Sequence, residues 1–290
     1  MKEYTASAPH VACGSNKMLL VDALPSAPEI IERYEQADKV SAEQTAHGLP
    51  HAENVRDNAA ILINMVDEEF PDRLSDDDKV CTLVTALTHD NGRADEIAKH
   101  GLCGARWANR FLRTFKVVNG TEKICLSEKD IKRVVKGIAC HSYKEFINVK
   151  VPDVVLDLTY IADKCAGDES RVREDRAAEL KKLTRYSVNV FGKWVRVTWL
   201  ADKSRDGGEH DRVNYAIKQV KLQKDGRNIV LKLDIDLRVC DPDLIWSVRW
   251  NRSAYKGCWV AAKRLGFEFQ LEINDVRYVS EGQEADWRPR

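Results

Sequence analysis

The sequence predicts an α+β chain, a helical bundle to about residue 185 followed by a smaller α/β part. Two observations predict it. Apolar residues recur at helical spacing from about residue 28 onward, in segments separated by Pro, Gly and capping residues. From about residue 186 the period changes to alternation, as in Val195, Val197 and Trp199 and again in Ile229, Leu231, Leu233, Ile235 and Leu237. The expected organisation is an irregular segment over 1–25, a helical domain over 26–185 and an α/β domain over 186–290.

Residues 28–40 form the first helix, opened by Pro28. The next opens at Pro50, where a missing N–H costs nothing, and Ala52, Val55, Ala59, Leu62 and Val66 give it one apolar face. His51 falls in its first turn and His47 in the loop before it. Asp76, Asp77 and Asp78 favour the N-terminus of a third helix, which runs through Val80, Cys81, Val84 and Leu87 to His89-Asp90. A fourth is expected over 96–115, with His100 one turn before Gly104; Gly104 and Ala105 would let another backbone approach closely. Residues 118–125 read as a loop, and Ser127 with Asp130 as a capping box for a helix ending at Cys140-His141-Ser142. Pro152 opens a helix that delivers Asp163-Lys164, and polar helical sequence continues to Arg185.

Beyond the change of period, 201–212 reads as a polar loop, then Val213, Tyr215 and Ile217 continue with a phase slip into Val220 and Leu222 as a strand. Asp225-Gly226 turns the chain into a third strand. Asp241-Pro242 caps a helix stopped by Gly266, and two strands separated by Asn274-Asp275 follow; the last ten residues read as frayed. Trp246, Trp250 and Trp259 fall partly off that helix's apolar stripe, so Trp246 or Trp250 is expected to meet the helical domain or a second copy of the chain, as a lid, a regulatory element or a homodimer contact.

Composition excludes some classes. With 46 basic and 46 acidic residues the chain has no global attraction for nucleic acid or anionic membrane. Lys218, Lys221, Lys224 and Arg227 form a basic strip with acidic neighbours, which reads as a solvated face. No run approaches a membrane span, and no secretory signal opens the chain. Eight scattered cysteines without a Cys-x-x-Cys pair read as reduced thiols of a cytoplasmic protein.

The candidate chemistry centres on His89-Asp90, whose imidazole and carboxylate suit a first-row divalent metal when turned toward one point. Five of the seven histidines, His47, His51, His89, His100 and His141, fall between 47 and 141. The order His51 (in His-x-x-x-His-x-x-x-Val), His89-Asp90 and Asp163 (in Ala-Asp-Lys) resembles the HD-domain metal-dependent phosphohydrolases over roughly residues 45–175. In that family these four are the ligands and come from helices that meet at one end of a bundle. His100, in His-Gly-x-x-Gly-Ala, and His141, in Cys-His-Ser, match the further ligands of its two-metal subfamilies. The His-Gly-x-x-Gly-Ala string, and the late Ala-Asp followed by Arg171, look most like the bacterial diadenosine-tetraphosphate hydrolases.

The resemblance implies one or two first-row cations (Mn, Fe, Co, Ni or Zn), with Asp90 bridging where there are two, and a small phosphorylated substrate, a nucleotide or dinucleotide polyphosphate. Such cations supply hydroxide near neutral pH and take up phosphoryl charge. Arg93 and Lys164 stand beside ligands and could hold phosphates; His47 is a candidate to protonate the leaving group or to orient substrate. A one-metal site in which His100 and His141 contact phosphate is the alternative. So, for function, are the diiron oxygenases that share this ligand order and a nucleotide-binding sensor.

Overall fold

The computed structural model describes residues 9–41, 45–185, 187–196, 208–242, 245, 249–280 and 287–289. Its helices are α1 (Met18–Ala23), α2 (Pro28–Val40), α3 (Leu49–Glu69), α4 (Asp76–Thr88), α5 (His100–Thr114), α6 (Glu128–Ala139), α7 (Tyr143–Ile147), α8 (Val154–Lys164), α9 (Glu174–Arg185), α10 (Gly208–Ala216) and α11 (Arg249–Arg264). The strands are β1 (Val117–Asn119), β2 (Glu122–Ile124), β3 (Ser187–Val190), β4 (Lys193–Arg196), β5 (Ile217–Asp225), β6 (Asn228–Ile235), β7 (Glu268–Ile273), β8 (Val276–Ser280) and β9 (Trp287–Pro289). The chain is a mixture of helix and strand, and no described helix is long and apolar enough to cross a membrane.

α4 is the central helix. Every residue from Lys79 to Thr88 is buried, and Thr82, Thr85 and Thr88 satisfy their hydroxyls by donating to the carbonyls of Asp78, Cys81 and Val84, each at 2.7 Å. Ser75 and Asp78 cap it reciprocally, and Ser127 and Asp130 do the same for α6. α3, α8 and α6 pack against α4, and α5 packs on α6 and on the 3-10 turn Asn91–Ala94 that follows α4, so the ends of α4 and α8 and the starts of α3 and α5 come together.

The described C-terminal residues form a five-stranded sheet in the order β5-β6-β7-β8-β9. β5 and β6 are an antiparallel hairpin turned at Gly226 (φ 58°), β6 and β7 pair in parallel, and α11 precedes β7. α11 ends at Gly266, whose φ of 82° an L side chain resists.

Five local expectations need correction. Within 1–25, α1 is regular and buries Leu20 and Val21; Asp22, which breaks the apolar run, simply faces solvent. α5 begins at His100 rather than residue 96, because Asn91–Ala94 forms a separate 3-10 turn. Residues 118–125 are largely the β1–β2 hairpin, turned at Gly120 (φ 61°), not a loop. Val213 and Tyr215 belong to α10, so the slip read there is a junction of helix with strand, followed by a true register shift between Ile217 and Gln219. Arg288 and its neighbours pair with β8 rather than fraying, whereas Trp246 and the side chain of Trp250 lie outside the described residues.

The two halves share one hydrophobic core. Phe70 of α3's end meets Phe267 edge to face at 5.4 Å, and Arg73 donates to the carbonyls of Leu265 (2.7 Å) and Arg264 (2.9 Å). α11 lies on α8 so closely that a Cβ on Gly257 would stand 2.3 Å from Tyr160 Oη. The basic strip is largely paired, Lys218 with Glu169, Lys224 with Glu68 and Glu69, Arg227 with Glu69.

Asp157 of α8 pairs with Arg264 of α11 at 3.2 Å while only 2% exposed, and burial outweighs the pairing to raise its pKa to about 6. A carboxyl whose folded pKa lies above the unfolded value gains stability while protonated and loses it as pH rises through the folded pKa. Asp157→Asn copies the neutral form, so the variant should melt progressively above wild type as pH rises from about 4 to about 7, by at most about 3 kcal/mol. A difference in melting temperature that does not change with pH would show that Arg264 fully compensates the charge.

Candidate metal centre

The helix ends deliver the predicted ligands to one buried point. His51 sits in the first turn of α3, whose N-cap Gly48 passes so near α2 that a Cβ there would lie 2.3 Å from Asp38 Oδ2. His89 closes α4, whose last turn is held by a hydrogen bond from Tyr34 Oη to the Leu87 carbonyl (2.9 Å). Asp163 lies at the end of α8. His100 opens α5, and the approach foreseen at Gly104 is made by Gly92: a Cβ on Gly92 would lie 2.3 Å from Gly104 N and 1.9 Å from the His100 carbonyl oxygen. Gly101 packs against the carbonyls at the end of α6, which brings His141 to His100.

Five imidazoles then run edge to face through the centre. Ring centroids are 5.5 Å apart from His47 to His51, 5.3 Å from His51 to His89, 5.2 Å from His89 to His141 and 4.8 Å from His141 to His100. Asp90 joins two groups of donors. Its Oδ2 lies 3.9 Å from His51 Nε2 and 3.5 Å from His89 Nε2, and Asp163 Oδ1 lies 3.5 and 3.6 Å from the same two nitrogens. Its Oδ1 lies 3.5 Å from both His100 Nε2 and His141 Nε2. Ligands about 2.0–2.2 Å from a first-row cation stand about 3.0–3.6 Å from one another, so most of these separations already fit one. All six predicted ligand residues fall within groups able to hold a metal ion, and His47 joins a further group with His51 and Asp90.

Three histidines are aimed from behind. Nδ1 of His89, His100 and His141 donates to the carbonyl three residues earlier, Ala86 (2.8 Å), Ile97 (2.7 Å) and Ile138 (2.7 Å). That arrangement turns each Nε2 inward, as in metal-bound imidazoles. His100 Nε2 and His141 Nε2 then face each other at 2.9 Å, an unfavourable meeting of lone pairs that a shared cation would relieve. Both His51 nitrogens, His89 Nε2 and Asp90 Oδ1 are buried without a hydrogen-bond partner. Unpaired buried polar atoms are costly, and a cation would satisfy them. The donor set therefore fits a divalent first-row metal.

The protonation states favour ligation. Burial, with Arg171, lowers His51 to about 3, and burial with His141 lowers His100 to about 3. Burial opposes ionisation of Asp90 and Asp163, yet Arg93 and His89 hold Asp90, and Lys164 and His89 hold Asp163, well below the usual carboxylate range. His89 differs: against burial, Asp90 and Asp163 raise it to about 10.

The site opens into a cavity of about 110 Å³ walled by Arg93, Lys164, Arg171 and Tyr143, with Ser253 and Ala254 of α11 on the far side. Arg93 Nε lies 3.0 Å from Asp90 Oδ1 and Lys164 Nζ 2.5 Å from Asp163 Oδ2. His47 donates from Nδ1 to Asp90 Oδ2 at 2.7 Å, and burial with Arg93 and Arg171 keeps its pKa well below the ordinary value. Arg171, on the 3-10 turn Glu169–Arg171, is 3% exposed and donates from Nη2 to His47 Nε2 at 3.1 Å, leaving Nδ1 to donate to Asp90. The sequence reading placed Arg171 only within a motif, and missed the residues α11 adds, since no local pattern ties them to the helical half.

Compared with known proteins, the chain matches no family model, no curated protein and no solved structure.

Proposed function

We propose that the protein is a metal-dependent phosphohydrolase acting on a nucleotide or dinucleotide polyphosphate, as its resemblance to HD-domain enzymes implies. The observation that carries this reading is the pairing of a buried His/Asp cluster, joined through Asp90, with a cavity walled by three cations. His51, His89, Asp90 and Asp163 would hold one cation, and Asp90, His100 and His141 a second. Bound there, a divalent cation supplies Lewis acidity and a water acidic enough to act near neutral pH.

The chain's own residues have separate tasks. Arg93 and Arg171 present planar donors suited to phosphoryl oxygens, and Lys164 a point charge. His47, neutral and tied to Asp90, orients that carboxylate and positions Arg171; a ring so hard to protonate serves poorly as the acid for a leaving group. α11 roofs the cavity and keeps bulk water from these charges, which strengthens them.

The test is a screen of phosphate release from nucleotides and dinucleoside polyphosphates by protein stripped of metal and reloaded with Mn or Co, under nitrogen. Metal-dependent release supports the reading; turnover that requires iron and dioxygen, or no release, overturns it. In the same screen Lys164→Ala should weaken substrate binding by about 10- to 100-fold, the range for a charged hydrogen bond, with metal content unchanged. Metal loss from that variant would instead assign Lys164 to holding Asp163.

A further inference from the structure

β3 and β4 form a two-stranded sheet of their own, apart from the five-stranded one. Val190 pairs with Lys193, so Phe191 and Gly192 make a two-residue turn with φ of 52° and 82°. Positive φ at both central residues is the hairpin turn that favours Asn-Gly. A bulky apolar residue resists that conformation, yet Phe191 adopts it at the tip of the hairpin, fully exposed. Such an outlier points to a use for the side chain.

The rest of the hairpin repeats the pattern. Val188, Val190 and Trp194 are 46%, 42% and 40% exposed. Val188 and Val190 lie two residues apart on one face, whereas Trp194 pairs with Asn189 on the other. Asn189 is satisfied within the turn, its Oδ1 accepting from the Gly192 N–H at 2.9 Å. The distal end is therefore apolar on both faces and at its tip. A protein surface covers one face of a hairpin; a fluid apolar medium surrounds it.

Charge narrows the partner further. The chain is neutral overall, but between Glu179 and Asp202 it carries Lys181, Lys182, Arg185, Lys193 and Arg196 and no acidic residue. Two copies meeting through this stretch would bring like charges together. A single-stranded nucleic acid suits the charge but binds by stacking its bases on rings, and two of the hairpin's four exposed apolar residues are valines. Hydrocarbon takes valine and phenylalanine alike, and aromatic residues flanked by Lys and Arg suit the headgroup level.

We propose that the β3–β4 hairpin docks the protein on an anionic lipid bilayer. Phe191, Val188 and Val190 enter the boundary between headgroups and acyl chains, and the flanking basic residues meet the anionic headgroups. Penetration is shallow, because both edges of a two-stranded sheet carry backbone groups that need partners. Attachment is reversible, since one aromatic wedge and a few charges fall far short of a membrane span. It does not depend on the phosphohydrolase reading.

The test is co-sedimentation of the full chain with vesicles of phosphatidylcholine, alone or mixed with phosphatidylserine. The mixed vesicles should carry the protein down and the neutral ones should not, with binding lost as salt rises. Phe191→Asn should weaken binding to mixed vesicles by at least about tenfold, the lower end for taking a Phe side chain out of apolar surroundings. Asn accepts the left-handed conformation and Phe191 is fully exposed, so the variant should melt no lower than wild type, which separates lost docking from lost folding. No binding to mixed vesicles, or equal binding by Phe191→Asn, overturns the inference. So does a single-stranded oligonucleotide that binds where the vesicles do not, or a dimer that Phe191→Asn dissolves while vesicles stay unbound.

Discussion

Asp90→Asn is expected to empty the metal centre and to lower metal-dependent hydrolysis by at least about 1,000-fold, because one carboxylate serves both donor groups. The amide keeps the shape of the side chain but offers one neutral oxygen where two charged ones stood. It also removes the charge that faces Arg93, so that cation would repel an incoming metal. His100→Ala separates the groups: it leaves His51, His89, Asp163 and Asp90 Oδ2 in place, so metal content should fall from about two ions per chain toward one. Elemental analysis with circular dichroism checks both variants. Full metal content in Asp90→Asn would remove Asp90 from the ligand set. Unchanged stoichiometry with weakened phosphate binding in His100→Ala would make His100 a substrate contact, the one-metal alternative.

Much of this candidate centre was legible because the predicted ligands sit where local sequence already marks a helix end. Pro50 announces the turn that carries His51, Ser127 and Asp130 the helix that ends before His141, and the apolar run from Val80 the buried approach to His89. Gly104 announced a close contact, although not that Gly92 would make it. What stayed hidden is non-local. Arg171 reaches His47 across 124 residues, and His210 comes under the influence of Arg93 and Lys164 only through tertiary packing of α10. α10 itself was misread because Val213, Tyr215 and Ile217 alternate by accident across a junction: the first two face different sides of a helix, and Ile217 opens a strand. In α1 the apolar run was too short to signal a helix, since only six residues form it and its neighbours supply the burial. The expected boundary at residue 185 follows the change in periodicity, which reports secondary structure. The core continues through that point.

That continuity sets the outcome of deleting residues 186–290. The helical half would lose the surface that covers α8. Tyr160, fully buried and stacked on Phe146 at 4.0 Å, would lose the backbone of Gly257 and its hydrogen bond to the Ala254 carbonyl (3.4 Å). Phe146 would lose the guanidinium of Arg264, which stands 5.0 Å from its ring centroid. Asp157 would lose Arg264 and Phe70 would lose Phe267. Returning a large apolar side chain fully to water costs about 1.5–3 kcal/mol, so partial exposure of Tyr160, Phe146 and the rest of the shared core takes a sizeable share of the 5–15 kcal/mol that holds a typical domain together. The fragment 1–185 should therefore aggregate or melt far below the full chain. Its buried His/Asp cluster would also lose Ser253 and Ala254 from the wall of the adjoining cavity. Sedimentation and thermal unfolding of the fragment test this directly. A monomer with the full chain's melting temperature would show that α11 only rests against α8. A stable fragment that binds metal but releases no phosphate would leave the C-terminal residues as the part that completes the substrate cavity.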